Sequence, residues 1–344
     1  MQRLAIFIII LSIAARLLWE LDANLSLFIY DAYITRGSAT PHNQRRTFPP
    51  GSTKLDGKTI WITGGSSGIG AELALQLATA GGVGHLILSG RKVEKLEAVA
   101  KSAREASKAA VNGRSTIQIS VVPFNMKGGP NVLEGAVSSA LEKAGSSGID
   151  ILILNAGQYQ CRPALDTNVD EALPNLMQIN FAAPVQLSQK LMQLDNWKER
   201  KYGHIVTVSS LMGRGPSPLN AIYSASKHAL RGYFHSLAAE ESSWLRVDVV
   251  LPGATDTGLW SGSYDAEKES NNKSGAVHAD DRSKMAVQRC ARLIVSGILG
   301  SNFLFFETWI TNNPGLIWVY LASYTPSILH HLVADGGRGE SLRV

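Results

Sequence analysis

KTIWITGGSSGIGAELALQLATA, residues 58–80, is the stretch that decides the fold. Residues 58–62 are a short run of apolar and β-branched side chains and read as a buried strand. Thr63-Gly64-Gly65-Ser66-Ser67-Gly68-Ile69-Gly70 follows, and residues 69–80 then carry the leucines and alanines of a helix. A glycine pattern counts as a phosphate loop only between a strand and a helix, and that is its context here. Glycines permit the tight turn and the close approach of a ligand to the backbone. The helix beyond them offers unpaired N–H groups and a positive dipole end to a pyrophosphate. The spacing is G-x-x-x-G-x-G rather than G-x-G-x-x-G; the competing reading is a purely structural turn, which the context disfavours.

The same alternation continues on the C-terminal side. Strands are predicted at 84–88, 117–123, 151–154, 204–208 and 246–251, and helices at 93–110, 131–144, from Tyr223 onward, and at 283–299. Residues 303–306 can form a last strand. Strands alternating with helices over this length predict an α/β fold, a Rossmann-type doubly wound parallel sheet covered on both faces. One catalytic domain is expected over 55–310, preceded by a membrane anchor or signal segment at 1–20 and a linker at 21–54, and followed by an apolar extension at 311–344. The polar stretch 260–281 is a long loop, of the kind that is usually functional.

Cofactor choice is readable at the end of the second strand. An acid there would bind the ribose 2′-hydroxyl of NAD. The sequence has Ser89-Gly90-Arg91-Lys92 and no acid, and Arg91 can pair bidentately with a 2′-phosphate, so NADP(H) is favoured. The chemistry is readable in 203–240, GHIVTVSSLMGRGPSPLNAIYSASKHALRGYFHSLAAE. Its strand ends in Ser209 and Ser210, and Lys227 follows Tyr223 by four residues, which puts phenol and ammonium on one helix face. A nearby cation favours phenolate, so this pairing is expected to lower the Tyr223 pKa towards the range of a useful general acid or base. Ser210 can hydrogen-bond the same substrate oxygen. Taken alone, the pair is equally well a chance spacing.

Composition removes other classes. The formal charge is only +5 over 344 residues, without a Lys/Arg stripe interleaved with aromatics, which argues against nucleic acid. The two cysteines, Cys161 and Cys290, have neither metal-ligand spacing nor a C-x-x-C pattern, so no metal site is expected. Residues 4–15 are apolar but for Ser12, and after Arg16 the run resumes to Trp19. This is short of the ~20 residues of a spanning helix, and a signal anchor, a cleaved signal peptide and a half-inserted anchor helix all fit. Near the C-terminus, 316–322 is apolar and 328–333 is apolar but for His330 and His331, and the two either close the core or an oligomer interface or cover a substrate entrance at a membrane.

With these motifs in order, the chain resembles the short-chain dehydrogenase/reductase family over residues 55–299. The resemblance rests on Thr63 to Gly70, Asn155-Ala156-Gly157, Asn180, Ser210, Tyr223-x-x-x-Lys227, and Pro252-Gly253 with Thr257. The N-terminal run and the segments 226–234 and 283–297 are similar to the membrane-associated branch with the microsomal hydroxysteroid enzymes. The resemblance implies a catalytic tetrad. Tyr223 is the acid/base, Lys227 holds the nicotinamide ribose, Ser210 orients the substrate oxygen, and Asn180 places a water that relays protons. Ser210, thirteen residues before Tyr223, is preferred to Ser209 because the family uses that spacing. The cofactor is expected to lie along Thr63, Gly64, Ser66, Ser67, Gly68, Ile69, Gly70, Arg91, Asn125, Asn155, Ala156 and Gly157. At its nicotinamide end Tyr223, Lys227, Pro252, Gly253, Thr255 and Thr257 are expected. Asn125 replaces a common Asp facing the adenine, and Leu154 replaces the first Asn of a common NNAG. The implied activity is NADP(H)-dependent hydride transfer to or from a lipophilic carbonyl or alcohol such as a steroid, a retinoid or a xenobiotic carbonyl. The endoplasmic reticulum membrane is the expected location, and a homodimer is compatible. A retinol-type alcohol dehydrogenase and a non-catalytic nucleotide sensor or scaffold on the same fold are the alternatives.

Overall fold

The computed structural model describes residues 55–80, 82–110, 117–195, 197–259, 284–299 and 307–310. The apolar runs form parallel strands β1 (Thr59–Thr63), β2 (His85–Gly90), β3 (Gln118–Pro123), β4 (Ile151–Leu154), β5 (Gly203–Val208) and β6 (Leu245–Pro252). Two short strands, β7 (Thr255–Asp256) and β8 (Met285–Ala286), pair separately, and β9 (Glu307–Ile310) completes the main sheet. The order is β3-β2-β1-β4-β5-β6-β9, with every neighbouring pair parallel. Helices α1 (Gly68–Thr79), α2 (Val93–Ala110) and α3 (Pro130–Ala144) follow β1, β2 and β3. Between β4 and β5 run α4 (Val169–Met177), a π-helical turn (Gln178–Ala182), α5 (Ala183–Leu194) and the short α6 (Trp197–Arg200). Helix α7 (Ala221–Glu240) links β5 to β6, and α8 (Val287–Leu299) precedes β9.

Strand periodicity sorts the core into two layers. Ile60, Ile62, Leu86, Leu88, Ile151 and Ile153 pack with Leu73 and Leu77 of α1, Leu96 of α2 and Ile294 of α8. Trp61, Ile87, Leu152, Leu154 and Ile205, on the opposite face, pack with Leu133 of α3, Leu187 of α5 and Phe234 of α7. Each such fully buried side chain contributes about 1.5–3 kcal/mol. The one indole nitrogen this puts in the middle of the sheet is satisfied, since Trp61 Nε1 donates to Ser89 Oγ at 2.8 Å. Strand order reverses between β1 and β4, and in such sheets ligands bind at the carboxyl ends of the strands beside that reversal.

Among the described residues the last strand is Glu307–Ile310, and the segment expected to form one, 303–306, lies outside them. The helix expected from 283 starts at Val287, because Met285 and Ala286 pair with Thr255 and Asp256. The helices α4 to α6 were not anticipated; Pro174 and Pro184 interrupt their pattern. The expectations for 1–54, 260–281 and 311–344 fall outside the described residues. Among the described residues no helix is long and apolar enough to cross a membrane.

Candidate active site

The turn after β1 is shaped by two close approaches. Gly64 has φ of +69°, and a Cβ there would lie 2.8 Å from Ala156 Cα. A Cβ on Gly70 would strike the Gly64 carbonyl oxygen and lie 2.5 Å from Asn155 Nδ2. The turn is then cross-braced to β4. Thr63 Oγ1 accepts from the Asn155 and Ala156 N–H groups at 3.1 and 3.2 Å, and Asn155 Nδ2 donates to the Thr63 and Gly64 carbonyls at 3.2 and 3.3 Å. Asn155 therefore locks the central strands together at the point where the turn leaves the sheet. Ser67 opens α1 without a side-chain cap, leaving the first N–H groups of the helix to a ligand.

A cleft of about 630 Å³ opens at the carboxyl ends of the strands. It gathers Thr63, Gly64, Ser66, Ser67, Gly68, Ile69, Arg91, Asn125, Asn155, Ala156, Gly157, Ser210, Tyr223, Lys227, Pro252, Gly253, Thr255 and Thr257. Two expected site residues are not on its wall. Gly70 lies behind the turn, where its lack of a side chain lets α1 approach Gly64. Asn180 is fully buried in the π-helical turn, a type of irregularity often found at functional sites. Its Oδ1 accepts from Gln158 N at 2.8 Å, and its Nδ2 donates to Gln158 O at 2.9 Å and Ser226 Oγ at 3.0 Å. The side chain thus clamps the loop after β4 to α7. Asn125 is exposed, and its Oδ1 accepts from Lys127 N at 3.0 Å.

The electrostatics of the wall are one-signed. Arg91, Lys92, Lys95 and Lys227 line it, and among the described lining residues there is no Asp or Glu. Lys95 was not foreseen because its place on the wall follows from the first turn of α2, and the absence of acids among the described lining residues because segments distant in sequence supply the wall. The cleft suits a polyanion at its β2 end: glycine backbone, an uncapped helix start and three cations converge there.

At the other end stand Ser210, Tyr223 and Lys227. The Ser210 hydroxyl hydrogen-bonds the Tyr223 phenol and accepts from Met212 N at 3.2 Å. Ser209 is turned away, donating to the Lys227 carbonyl at 3.1 Å. Lys227 Nζ lies 5.8 Å from the Tyr223 ring centroid and donates to the Val208 carbonyl at 3.1 Å. The expected lowering of the Tyr223 pKa is corrected: burial pushes the phenol up to about 12, against the opposing pull of the Ser210 hydrogen bond. Burial likewise brings the Lys227 ammonium down to about 8. In this structure desolvation outweighs mutual help, because the ammonium is directed at Val208 rather than at the phenol oxygen. An ammonium has three donors, and with one on Val208 it retains donors for ribose hydroxyls, so the site fits a nucleotide sugar.

Tyr159 was missed by sequence reading. It is buried yet lines the cleft, with its ring 5.0 Å from that of Tyr223 and inclined at 67°. No motif marks it, since Gln158-Tyr159-Gln160 follows the glycine of NAG without periodicity.

The profile of the short chain dehydrogenase family matches residues 58–268, which takes in the glycine turn, the cleft wall and the Tyr223/Lys227 pair. The chain belongs to the short-chain dehydrogenase/reductase family. Dehydrogenase/reductase SDR family member 7 from Homo sapiens is 34% identical over 277 residues, 80% of this chain and 76% of the relative. Member 7B from Mus musculus is 30% identical, over 83% of each chain. A solved NADPH-bound actinorhodin polyketide ketoreductase superposes with a TM-score of 0.63 at 21% identity, covering 76% of this chain and 98% of that one. A short-chain dehydrogenase from Sphingobium yanoikuyae in complex with NADPH gives 0.60 at 25%, covering 81% and 95%. As a short-chain dehydrogenase/reductase, the protein is an oxidoreductase acting on CH–OH groups.

Proposed function

We propose that this short-chain dehydrogenase/reductase uses NADP(H) to interconvert a lipophilic carbonyl and its alcohol. The observation that carries the cofactor choice is the acid-free wall with Arg91, Lys92 and Lys95 at the β2 end. A carboxylate there would repel a 2′-phosphate, whereas a guanidinium pairs with it. Solved relatives with NADPH or NADP bound support the same choice. Leu211, Met212, Pro216, Pro218 and Leu259 give the Tyr223 end an apolar surface, which supports lipophilic substrates.

In this reading the nicotinamide, when bound, supplies or takes the hydride. The residues of the chain handle the proton and the orientation. Tyr223, neutral at physiological pH, gives its proton to the carbonyl oxygen in reduction, and Ser210 shares that oxygen. Lys227 holds the nicotinamide ribose and provides the positive charge that makes phenolate tolerable after transfer. Asn180 keeps Gln158 and Ser226 in place behind this pair, with its amide oxygen and both amide hydrogens engaged by them. Oxidation of the reduced cofactor, followed by its absorbance, tests the reading: NADPH with lipophilic ketones should turn over, and NADH should be a much poorer donor. Turnover with NADH alone would overturn it.

Residues 4–19 are proposed as an anchor in the endoplasmic reticulum membrane. A chain starting at Gly51 keeps every strand of the sheet, so it should leave the membrane fraction and still fold. Full retention in the pellet after high-salt and carbonate washes would assign the anchoring to 316–333 instead. A homodimer is proposed as the assembled state, testable by sedimentation.

A further inference from the structure

We propose that Tyr159 is the specificity-determining side chain of this site, a rigid wall that admits only a small substituent on one side of the carbonyl and so makes reduction stereoselective. The inference rests on the reading of Tyr223 as proton donor. A carbonyl oxygen accepting that proton stands between Ser210 and Tyr223, and its two substituents must diverge from there. One direction leads to the open apolar mouth formed by Met212, Pro216 and Leu259. The other meets the Tyr159 ring, which stands edge-on to Tyr223 with centroids 5.0 Å apart.

The wall is rigid because both its ends are held. Tyr159 is only 3% exposed, and its hydroxyl meets the Cys161 thiol. Asn220 is buried, with Nδ2 donating to Pro218 O at 2.7 Å and Ser217 Oγ at 3.1 Å. Three residues beyond Tyr159, the Arg162 N–H donates to the Leu219 carbonyl at 2.8 Å. Leu219 has φ of +67°, a left-handed conformation that strains a leucine and persists only where surroundings impose it. The segment carrying Tyr159 and the loop before α7 are thus fastened to each other, and α7 carries Tyr223. A ring that cannot rotate away discriminates by size, and pockets of this kind separate substrates differing by a methylene about 10–200-fold.

The test is the stereochemistry of an aryl methyl ketone reduced with NADPH by the full chain, read by chiral chromatography. Three proteins are compared: the parent, Tyr159→Ala and Tyr159→Phe. The parent should give mainly one alcohol enantiomer. Tyr159→Ala should lower the enantiomer ratio at least about tenfold and improve a ketone with two bulky substituents relative to the methyl ketone. Tyr159→Phe keeps the ring but releases its hydroxyl end, and should keep the preferred enantiomer at a ratio between those of the parent and Tyr159→Ala. NADPH affinity, read by fluorescence, should stay within about twofold in all three, since Tyr159 is remote from the β2 end. If Tyr159→Ala fails to fold, Tyr159→Leu, which retains bulk without a ring, must lower the ratio. An unchanged ratio, or no enantiomer preference in the parent, overturns the assignment of Tyr159 alone. No turnover of any ketone by the parent, or turnover that survives Tyr223→Phe, overturns the functional reading and this inference with it.

Discussion

Replacing Arg91 by Ala should separate the two nicotinamide cofactors. Arg91 is an exposed side chain on the cleft wall at the end of β2, where a 2′-phosphate would approach. A guanidinium–phosphate pair is a charge-assisted, bidentate interaction, and its loss costs about 1.5–3 kcal/mol, or roughly 10–150-fold in Kd. Lys92 and Lys95 remain on the same wall and hold part of the attraction, though exposed ion pairs contribute only about 0–1 kcal/mol each. The expected loss for NADPH therefore lies at the lower end, about 10–30-fold, and the triple substitution should reach the upper end. NADH has no phosphate at this position, so its affinity should change by less than about threefold. Fluorescence titration of both cofactors at about 0.15 M ionic strength, where the Debye length is about 8 Å, avoids inflating the charge effect. Equal losses for the two cofactors, or no loss for NADPH, would refute the placement of the phosphate at Arg91.

Other perturbations follow from the same structure. Glu307 on β9 binds Arg214 at 2.8 Å, Arg231 of α7 and Trp309 Nε1 at 2.7 Å. Burial opposes its ionisation, yet His235 Nε2 at 3.1 Å and the charges of Arg214 and Arg231 hold it at about 2. Glu307→Gln should cost about 3–5 kcal/mol of stability in urea unfolding, because two guanidinium groups lose their counter-charge. Its folded pKa is depressed, so this stabilisation is full above the ordinary value of 4.5, and in the parent it should fade as pH falls towards 2. Lys227→Met should raise the Tm of the cofactor-free protein at neutral pH while weakening NADPH binding. Folded Lys227 titrates at about 8 against an ordinary 10.5, so the unfolded chain binds more protons between those values. The Tm advantage of Met should be full below pH 8 and shrink above it, and a pH-independent difference would contradict the buried ammonium.

Which parts were legible follows from physics that is local or not. The strands of the parallel sheet could be placed to within a residue or two because both faces are buried and the runs are continuous, as in Ile151–Leu154. The strand Glu307–Ile310 was not anticipated because Glu307-Thr308 is polar, whereas Glu307 is held there by Arg214 and Arg231. The pairing of Tyr223 with Lys227 was visible from helical spacing. The direction of the Tyr223 shift was not, because spacing reports adjacency but not burial or the carbonyl at Val208 that draws the ammonium. Tyr159 could not be seen at all: its importance arises from a contact across 64 residues of sequence with Tyr223, the difference of their two numbers.

The central claim is that Tyr223 carries the proton in an NADPH-linked carbonyl reduction, and single-turnover kinetics of Tyr223→Phe test it most directly. The substitution keeps the ring against Tyr159 and removes only the hydroxyl hydrogen-bonded to Ser210. The cofactor contacts at the glycine turn and Arg91 are untouched, so NADPH affinity should change by less than about 1 kcal/mol. The reduction rate should fall about 10²–10⁴-fold, the contribution typical of a positioned general acid. A Tyr223→Phe protein that binds NADPH normally and reduces the ketone at the parent rate would contradict the account.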